Sequence, residues 1–487
     1  MNVSIDGNTL GIEDIVVVAR HNAKAVVDQG ARGRMGASRA VIEELVAQGA
    51  KVYGVTTGVG AMSTKTIPTA GEYQHQLIRA HAAGVGGPLS KDVVRAMMLL
   101  RANSLAKGLS GVRPIVVDTL VEMLNRGVCP IVPQKGSVGA SGDLIPLAHI
   151  SLVMIGEGEA CVNGARMRGK EAMDLAGITP LRLKTKEGIA LINGTQLMSA
   201  IGALGAYDCD ILLKSAEVAS AMSLESLMGT DRALDERIHR AKGHPGQIRC
   251  AKEMRDLVKG SELIASHREC PKIQDAYTLR CIPQVLGAAR DALQFVCEVT
   301  EREANAASDN PLIFDHDVLS GGNFHGQHMA FVLDLLGIVL ADVGCFSERR
   351  IAQLMDAPHL PPFLSQSPGN PGLMLTQYAA ASLASENKIL AHPASVDTIP
   401  TSNGVEDHVS MGSIAGLKLL QILENTQNIV GIELLCASRA LDLVGLNPGE
   451  GTAKARKIIG SPQGLLSYQI EQMAGLVRSG DLAELVS

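Results

Sequence analysis

Ala140-Ser141-Gly142 places three small residues in a row, between the turn Gly136-Ser-Val-Gly139 and the apolar run Leu144-Ile-Pro-Leu-Ala-His-Ile150. Small residues let a backbone amide press against a nearby carbonyl, a geometry that glycine tolerates best. If the Gly142 amide nitrogen attacks the Ala140 carbonyl and water is lost, the Ser141 hydroxyl included, a five-membered ring with an exocyclic methylene results. That ring would be an electrophile built from the chain itself. Taken alone, Ala-Ser-Gly reads as an ordinary flexible Gly/Ser turn, so its surroundings must separate the two.

Other residues carry chemistry with similar alternatives. Tyr53 leads the segment Tyr53-Gly-Val-Thr-Thr-Gly-Val-Gly60, which runs on to about Lys65. It reads as the head of a Gly-rich lid loop or as a strand-end tyrosine before a flexible turn. A phosphate cradle would need a Gly-Lys-Ser/Thr ending, which is missing. Arg280 follows Gln274 and Tyr277 at a spacing of three, which shares a face if the segment is helical. Pro271 and Pro283 equally allow a loop or a short turn. A guanidinium fork matches a carboxylate, whereas a structural arginine would be buried for packing. Asn193-Gly194 is a common turn pair, yet the Asn193 amide can both donate and accept at a site. His325 with His328, or Glu406 with His408, lacks the number and spacing of a recognised metal site.

Helices must carry most of these residues. The chain has 487 residues, 46% of them hydrophobic, with no tryptophan and few aromatics, so Leu, Ile, Val, Ala and Met must fill its core. Such residues suit helix-on-helix packing. Up to about residue 190, short segments alternate with Gly- and Pro-bearing turns, including a hairpin around Asn163-Gly164. Beyond it, helical patterns lengthen. One runs from Pro283 to Ala307 and stops at Asp309-Asn310-Pro311, because proline disfavours helix at the residue before it. Others are expected over His325 to Met355, with apolar residues every three or four positions, and over Gly412 to Val444. Lengths near thirty greatly exceed the mean of ~11–12 and make sense only in a bundle, one joined by partner subunits. The expected fold is mostly α: a smaller mixed N-terminal portion, 1–190, then a long-helix bundle, 191–487.

Net charge is −6 with no basic run, which argues against nucleic acid or an anionic membrane surface. Nine scattered cysteines without a Cys-x-x-Cys pair read as reduced thiols. The start, Met1-Asn-Val-Ser-Ile-Asp-Gly, has no signal-peptide layout, and no uninterrupted apolar run reaches the length of a membrane span. A cytoplasmic, soluble protein is expected.

Seven ordered blocks between Tyr53 and Met411 carry a family resemblance. Besides the Tyr53 and Ala-Ser-Gly segments they are His81-Ala-Ala-Gly-Val-Gly86, Leu191-Ile-Asn-Gly-Thr-Gln196, Gln274-Asp-Ala-Tyr-Thr-Leu-Arg-Cys281, Gly321-Gly-Asn-Phe-His325 and Glu406-Asp-His-Val-Ser-Met411. The chain resembles the aromatic amino acid ammonia-lyases and aminomutases that carry a methylidene-imidazolone group, the histidine ammonia-lyases most closely. The resemblance implies a fumarase/aspartase-like helix bundle, a homotetramer with shared active sites, and a methylidene-imidazolone formed from Ala140, Ser141 and Gly142. It implies no metal or nucleotide. Tyr53 matches the catalytic base. Gln274, Tyr277, Arg280, Asn193 and Phe324 match residues around the substrate and the ring. A small-molecule amino acid is the implied substrate.

Three residues lean towards histidine as that amino acid. His81 occupies the position of the histidine enzymes' histidine, Glu406 matches the acidic partner of the imidazole, and Met374 falls at the pocket methionine. An imidazole offers one donor and one acceptor, which a histidine and a carboxylate can answer. Departures point elsewhere: Val405 replaces a glutamine and Asn403-Gly404 alters the residues before it. Ala80 replaces a serine, Val59 an aromatic and Thr56 an asparagine, while Phe324-His-Gly-Gln-His328 mixes two patterns. A tyrosine or phenylalanine ammonia-lyase, or a 2,3-aminomutase, is the alternative.

Overall fold

Leucine and alanine are the commonest residues of the longest segments, and those segments form helices of 31 residues (Gln196–Ser226), 29 (Gln327–Met355) and 33 (Gly412–Val444). The computed structural model describes residues 2–58, 71–268 and 273–486. Val59, Gly60, the rest of the lid segment to Lys65, and Pro271 lie outside them. Among the described residues are nineteen α-helices and four small sheets of two or three strands. The mostly helical architecture expected from composition is therefore observed.

The chain divides into two compact units, each assembled from three segments. Unit one is Met1–Leu204, Val296–Asp334 and Pro393–Leu417; unit two is Gly205–Phe295, Leu335–His392 and Lys418–Ser487. The expected division after residue 190 falls inside unit one. Within that unit, residues 193–198 are hydrogen-bonded to the 141–143 loop.

Unit one is built around the buried helix Lys91–Ala106. Its Arg95 is fully inside, yet its donors are used: Nε reaches the Ala19 carbonyl at 3.0 Å, Nη2 the Val18 carbonyl at 2.6 Å and Nη1 the Leu124 carbonyl at 3.0 Å. These are last-turn carbonyls of Ile12–His21 and Pro114–Asn125, beyond the reach of regular i+4 partners where each helix ends. A short parallel pair, Asn2–Ile5 with Lys24–Val27, flanks this core. The hairpin at Asn163-Gly164 is present: Glu159–Val162 pairs antiparallel with Ala165–Arg168, and both turn residues have positive φ, 50° and 82°. Two such residues in sequence match the right-handed twist of the flanking strands.

In unit two the helices carry a buried ion pair whose carboxylate is fully engaged. Glu433 accepts from Arg350 Nε at 2.6 Å and Nη2 at 2.8 Å, from Ser347 at 2.6 Å and from Ser223 at 2.7 Å. Removing one partner would strand a charge in the interior. Gln327–Met355 reaches a mean hydropathy of 2.1 over 18 residues, enough for a membrane span, but 61% of that stretch is buried inside the protein. It reads as a core helix. The helix expected over 283–307 ends at Ala304. There Asn305 turns its amide onto the Glu301 and Leu10 carbonyls, each at 2.9 Å, and a tertiary partner ends the run before the proline does.

Candidate active site

The Ala140-Ser141-Gly142 loop is held on three sides by unit one. Its entry is pinned to the 410–413 segment: Met411 N donates to the Val138 carbonyl at 3.0 Å, Ser410 to the Gly139 carbonyl at 3.1 Å and Ser413 to the Ser137 carbonyl at 2.7 Å. Ala140 is buried against Val409 and Met411. Gly142 adopts φ +73°, and a Cβ there would collide with the Gly194 backbone. Glycine is therefore required both for its conformation and for the close approach.

Asn193-Gly194 is the third wall. Asn193 Nδ2 donates to the Ser141 carbonyl at 2.8 Å, and Asp143 N donates to the Gly194 carbonyl at 2.6 Å. Asn193 Oδ1 is buried without a partner among the described residues. Behind this strip sits Arg101, whose Nη1 donates to the Asn193 carbonyl at 2.7 Å and to Gln196 Oε1 at 3.0 Å. Burial pushes its guanidinium down to about 10, with Asp309 opposing. Asp143, also fully buried, accepts from Leu197 N at 2.9 Å and Met198 N at 3.1 Å, capping the Gln196–Ser226 helix from outside. Burial pushes its carboxyl up to about 7, against the Met198, Leu197 and Ser137 hydrogen bonds. Thr195 donates to Glu303 at 2.5 Å, and burial raises that carboxyl as well.

Glu406 meets the loop directly. Ser141 Oγ donates to Glu406 Oε1 at 3.0 Å, while Thr401 Oγ1 donates to Oε2 at 2.6 Å. Thr401 and Glu406 also exchange backbone hydrogen bonds at 3.0 and 3.3 Å, closing a tight loop in which Ser402, Asn403 and Gly404 all have positive φ. Val405, at the glutamine position, is 62% exposed at this turn. Within unit one, the carboxylate's hydroxyl partners are Thr401 and Ser141.

Tyr53 is half-buried in a turn closed by Thr56, which donates to the Ala50 carbonyl at 2.6 Å and accepts from Val52 N at 2.8 Å. Thr56 thus pins this turn. Tyr73 lies near enough to feel Tyr53: burial first, then Tyr53, raises its phenol. His81 ends the helix Gly71–His81, with Nδ1 2.7 Å from the Leu77 carbonyl. A carbonyl only accepts, so Nδ1 carries the proton and Nε2 of the neutral ring is an acceptor. The segment beyond it is tied to the helix after the loop, Gly84 N donating to His149 at 3.2 Å. Phe324 is half-buried in the turn before Gln327–Met355. Its neighbour His325 stacks on His408, with centroids 5.6 Å apart and planes 8° from parallel.

Gln274, Tyr277 and Arg280 gather in unit two. Tyr277–Arg280 is a single helical turn, Arg280 donates to Gln274 Oε1, and its guanidinium lies 5.6 Å from the Tyr277 ring centroid. Gln274 precedes the turn, so the shared helical face is replaced by a short turn with an extended lead-in. Met374, half-buried, opens the helix Met374–Leu390. The structure therefore brings together Ser141, Asn193 and Glu406 in one unit and the Arg280 cluster in the other. Asp143, Arg101 and Thr401 were missed from sequence. Arg101 had one signal, a lone charge inside the apolar run Met97-Met-Leu-Leu100 to Ala102.

The sequence pattern of the aromatic amino acid lyases matches residues 10–461. The chain belongs to that family. As an aromatic amino acid lyase it is an enzyme of the carbon–nitrogen lyase class. A histidine ammonia-lyase of Alkaliphilus oremlandii is 49% identical over 498 residues, covering 99% of this chain and 98% of that one. The crystal structure of histidine ammonia-lyase from Trypanosoma cruzi has a TM-score of 0.92 at 37% identity, covering 100% of this chain and 95% of that chain. That of a tyrosine aminomutase from Streptomyces globisporus has a TM-score of 0.94 at 34% identity, covering 100% and 98%. The lyase loop suits the methylidene-imidazolone implied for the family. A Cβ at Gly142 is excluded, the Ser141 carbonyl already has a donor, and the loop is anchored at both ends.

Proposed function

We propose that this chain is a histidine ammonia-lyase, eliminating ammonia from L-histidine to give trans-urocanate. The observation that carries the reading is Glu406, whose carboxylate stands 3.0 Å from the Ser141 hydroxyl at the reactive loop. A carboxylate there can accept from a ring N–H, which a phenyl ring does not offer. The identity with histidine ammonia-lyases supports the same choice.

Expelling an amine while taking a proton from a weakly acidic β-carbon requires both an electrophile and a base. The methylidene-imidazolone from Ala140, Ser141 and Gly142 supplies an electrophile for the substrate amine. Tyr53 takes the β-proton. Arg280, steadied by Gln274 and Tyr277, holds the substrate carboxylate in its planar fork. Asn193 fixes the loop through the Ser141 carbonyl, and Phe324 and Met374 wall the pocket. No metal or nucleotide takes part. The working form is a cytoplasmic homotetramer with sites shared between subunits. Tyr277 at 74% exposure and the neighbouring Ile273 at 95% support the sharing of sites, since a substrate-binding cluster needs a cover that excludes water.

A tyrosine 2,3-aminomutase is the second reading, supported by the likeness to the Streptomyces enzyme and by Thr56 and Val405. Ultraviolet progress curves with L-histidine, L-tyrosine and L-phenylalanine, with ammonia measured at the end, test the choice. Urocanate is expected. Coumarate, cinnamate or a β-amino acid in its place would overturn the histidine assignment.

A further inference from the structure

The contact between Ser141 and Glu406 has a use before any substrate arrives. Ring formation at Ala140-Ser141-Gly142 removes two waters. The first comes from closing the ring, and the second takes the Ser141 hydroxyl. That hydroxyl is an unactivated leaving group, and the Ser141 Cα–H is a weak acid, so the second step needs a group able to move a proton between them. Glu406 Oε1 lies 3.0 Å from Ser141 Oγ. Its other oxygen is fixed by Thr401 Oγ1 at 2.6 Å, and the Thr401–Glu406 backbone pair holds the whole carboxylate in place.

We propose that Glu406 is a catalytic residue of the enzyme's own maturation, with Thr401 as its positioning residue, an inference that rests on the loop being cyclised as in the proposed function. The carboxylate takes the Ser141 Cα proton and passes it to the departing Oγ. The Cα–H and Cβ–Oγ bonds break and a Cα=Cβ bond forms from the Cα–H electron pair. Oγ leaves as water with its own hydrogen and the transferred one. Glu406 ends as the carboxylate it began as, free for substrate. The same side chain thus serves the loop first and the amino acid afterwards. This explains why Oε1 faces a serine that must itself be consumed.

The test uses full-length protein made by cell-free synthesis and sampled over time by denaturing intact-mass measurement, which reads ring formation without any turnover. Wild type is expected to reach the mass lacking two waters. Glu406→Gln, close in size and shape, should accumulate as a species lacking only one, with the second loss slowed ~10²-fold or more. Thr401→Val should slow it by less, roughly tenfold, and Thr401→Ser should restore it, which a merely structural role for Thr401 would not require. Circular dichroism checks each fold. If Glu406→Gln does not fold, the Thr401 pair decides. Glu406→Gln maturing at the wild-type rate, or Thr401→Val maturing like Thr401→Ser, overturns this inference alone. A wild-type chain that never loses two waters overturns the proposed function with it.

Discussion

Arg101→Met separates what a buried charge does for stability from what it does for the site. The side chain is 1% exposed, and among the described residues only Nη1 has partners, Asn193 O and Gln196 Oε1, while Nε and Nη2 have none. Burial moves its guanidinium from 12.5 to about 10. Holding the charge inside therefore costs the folded state on the order of a few kcal/mol. Methionine releases that cost but leaves two buried oxygens without a donor, about 1–3 kcal/mol each. The effects oppose one another, so thermal unfolding should show a net change of no more than about 3 kcal/mol in either direction. Activity has no such compensation. Asn193 loses the anchor of its own carbonyl, and a shift of ~1 Å at a site can cost ~10²-fold. Steady-state urocanate production should therefore show a kcat at least ~10-fold lower in a folded protein. An unchanged kcat, or wholesale unfolding, would refute the positioning argument.

Gly142→Ala forces a Cβ into the Gly194 backbone at φ +73°, so the loop should fail to lose two waters in intact mass while the rest of the chain stays folded. A mature ring in that variant would show the contact to be soft. Asp143 binds its proton more tightly folded, near 7, than at its ordinary 3.8. The folded state therefore takes up the proton first, and its contribution favours folding at low pH and is lost as pH rises from about 4 through 7. Relative to Asp143→Asn, wild type should lose up to ~4 kcal/mol across that window. Parallel pH–stability curves would contradict this. Tyr53→Phe should keep the ring and the fold but slow elimination ~10²–10⁴-fold, and a near-normal rate would reassign the base.

Local rules carry far in this chain. Asn163-Gly164 marks its hairpin because two consecutive positive φ angles suit few residue pairs, and the apolar period of Gly412 to Val444 marks a helix with those same ends. The loop was legible because three small residues stand where any side chain at Gly142 would collide with Gly194. What stayed hidden depends on partners far along the chain. Asp143 caps a helix through amides 54 and 55 residues away. Arg101 reaches Asn193 across 92 residues, and Asn305 ends a helix by bonding Leu10, 295 residues earlier. Thr401 sits only five residues from Glu406, yet a run of positive φ angles is needed to turn its hydroxyl back onto the carboxylate. No periodicity encodes such a turn.

The most direct measurement is the intact mass of the purified wild-type chain beside Ser141→Ala, with urocanate formation from L-histidine followed on the same preparations. Wild type should weigh two waters less than its sequence and produce urocanate, and Ser141→Ala should do neither. A wild-type chain of unmodified mass that still releases ammonia from histidine would contradict a self-made electrophile at Ala140-Ser141-Gly142.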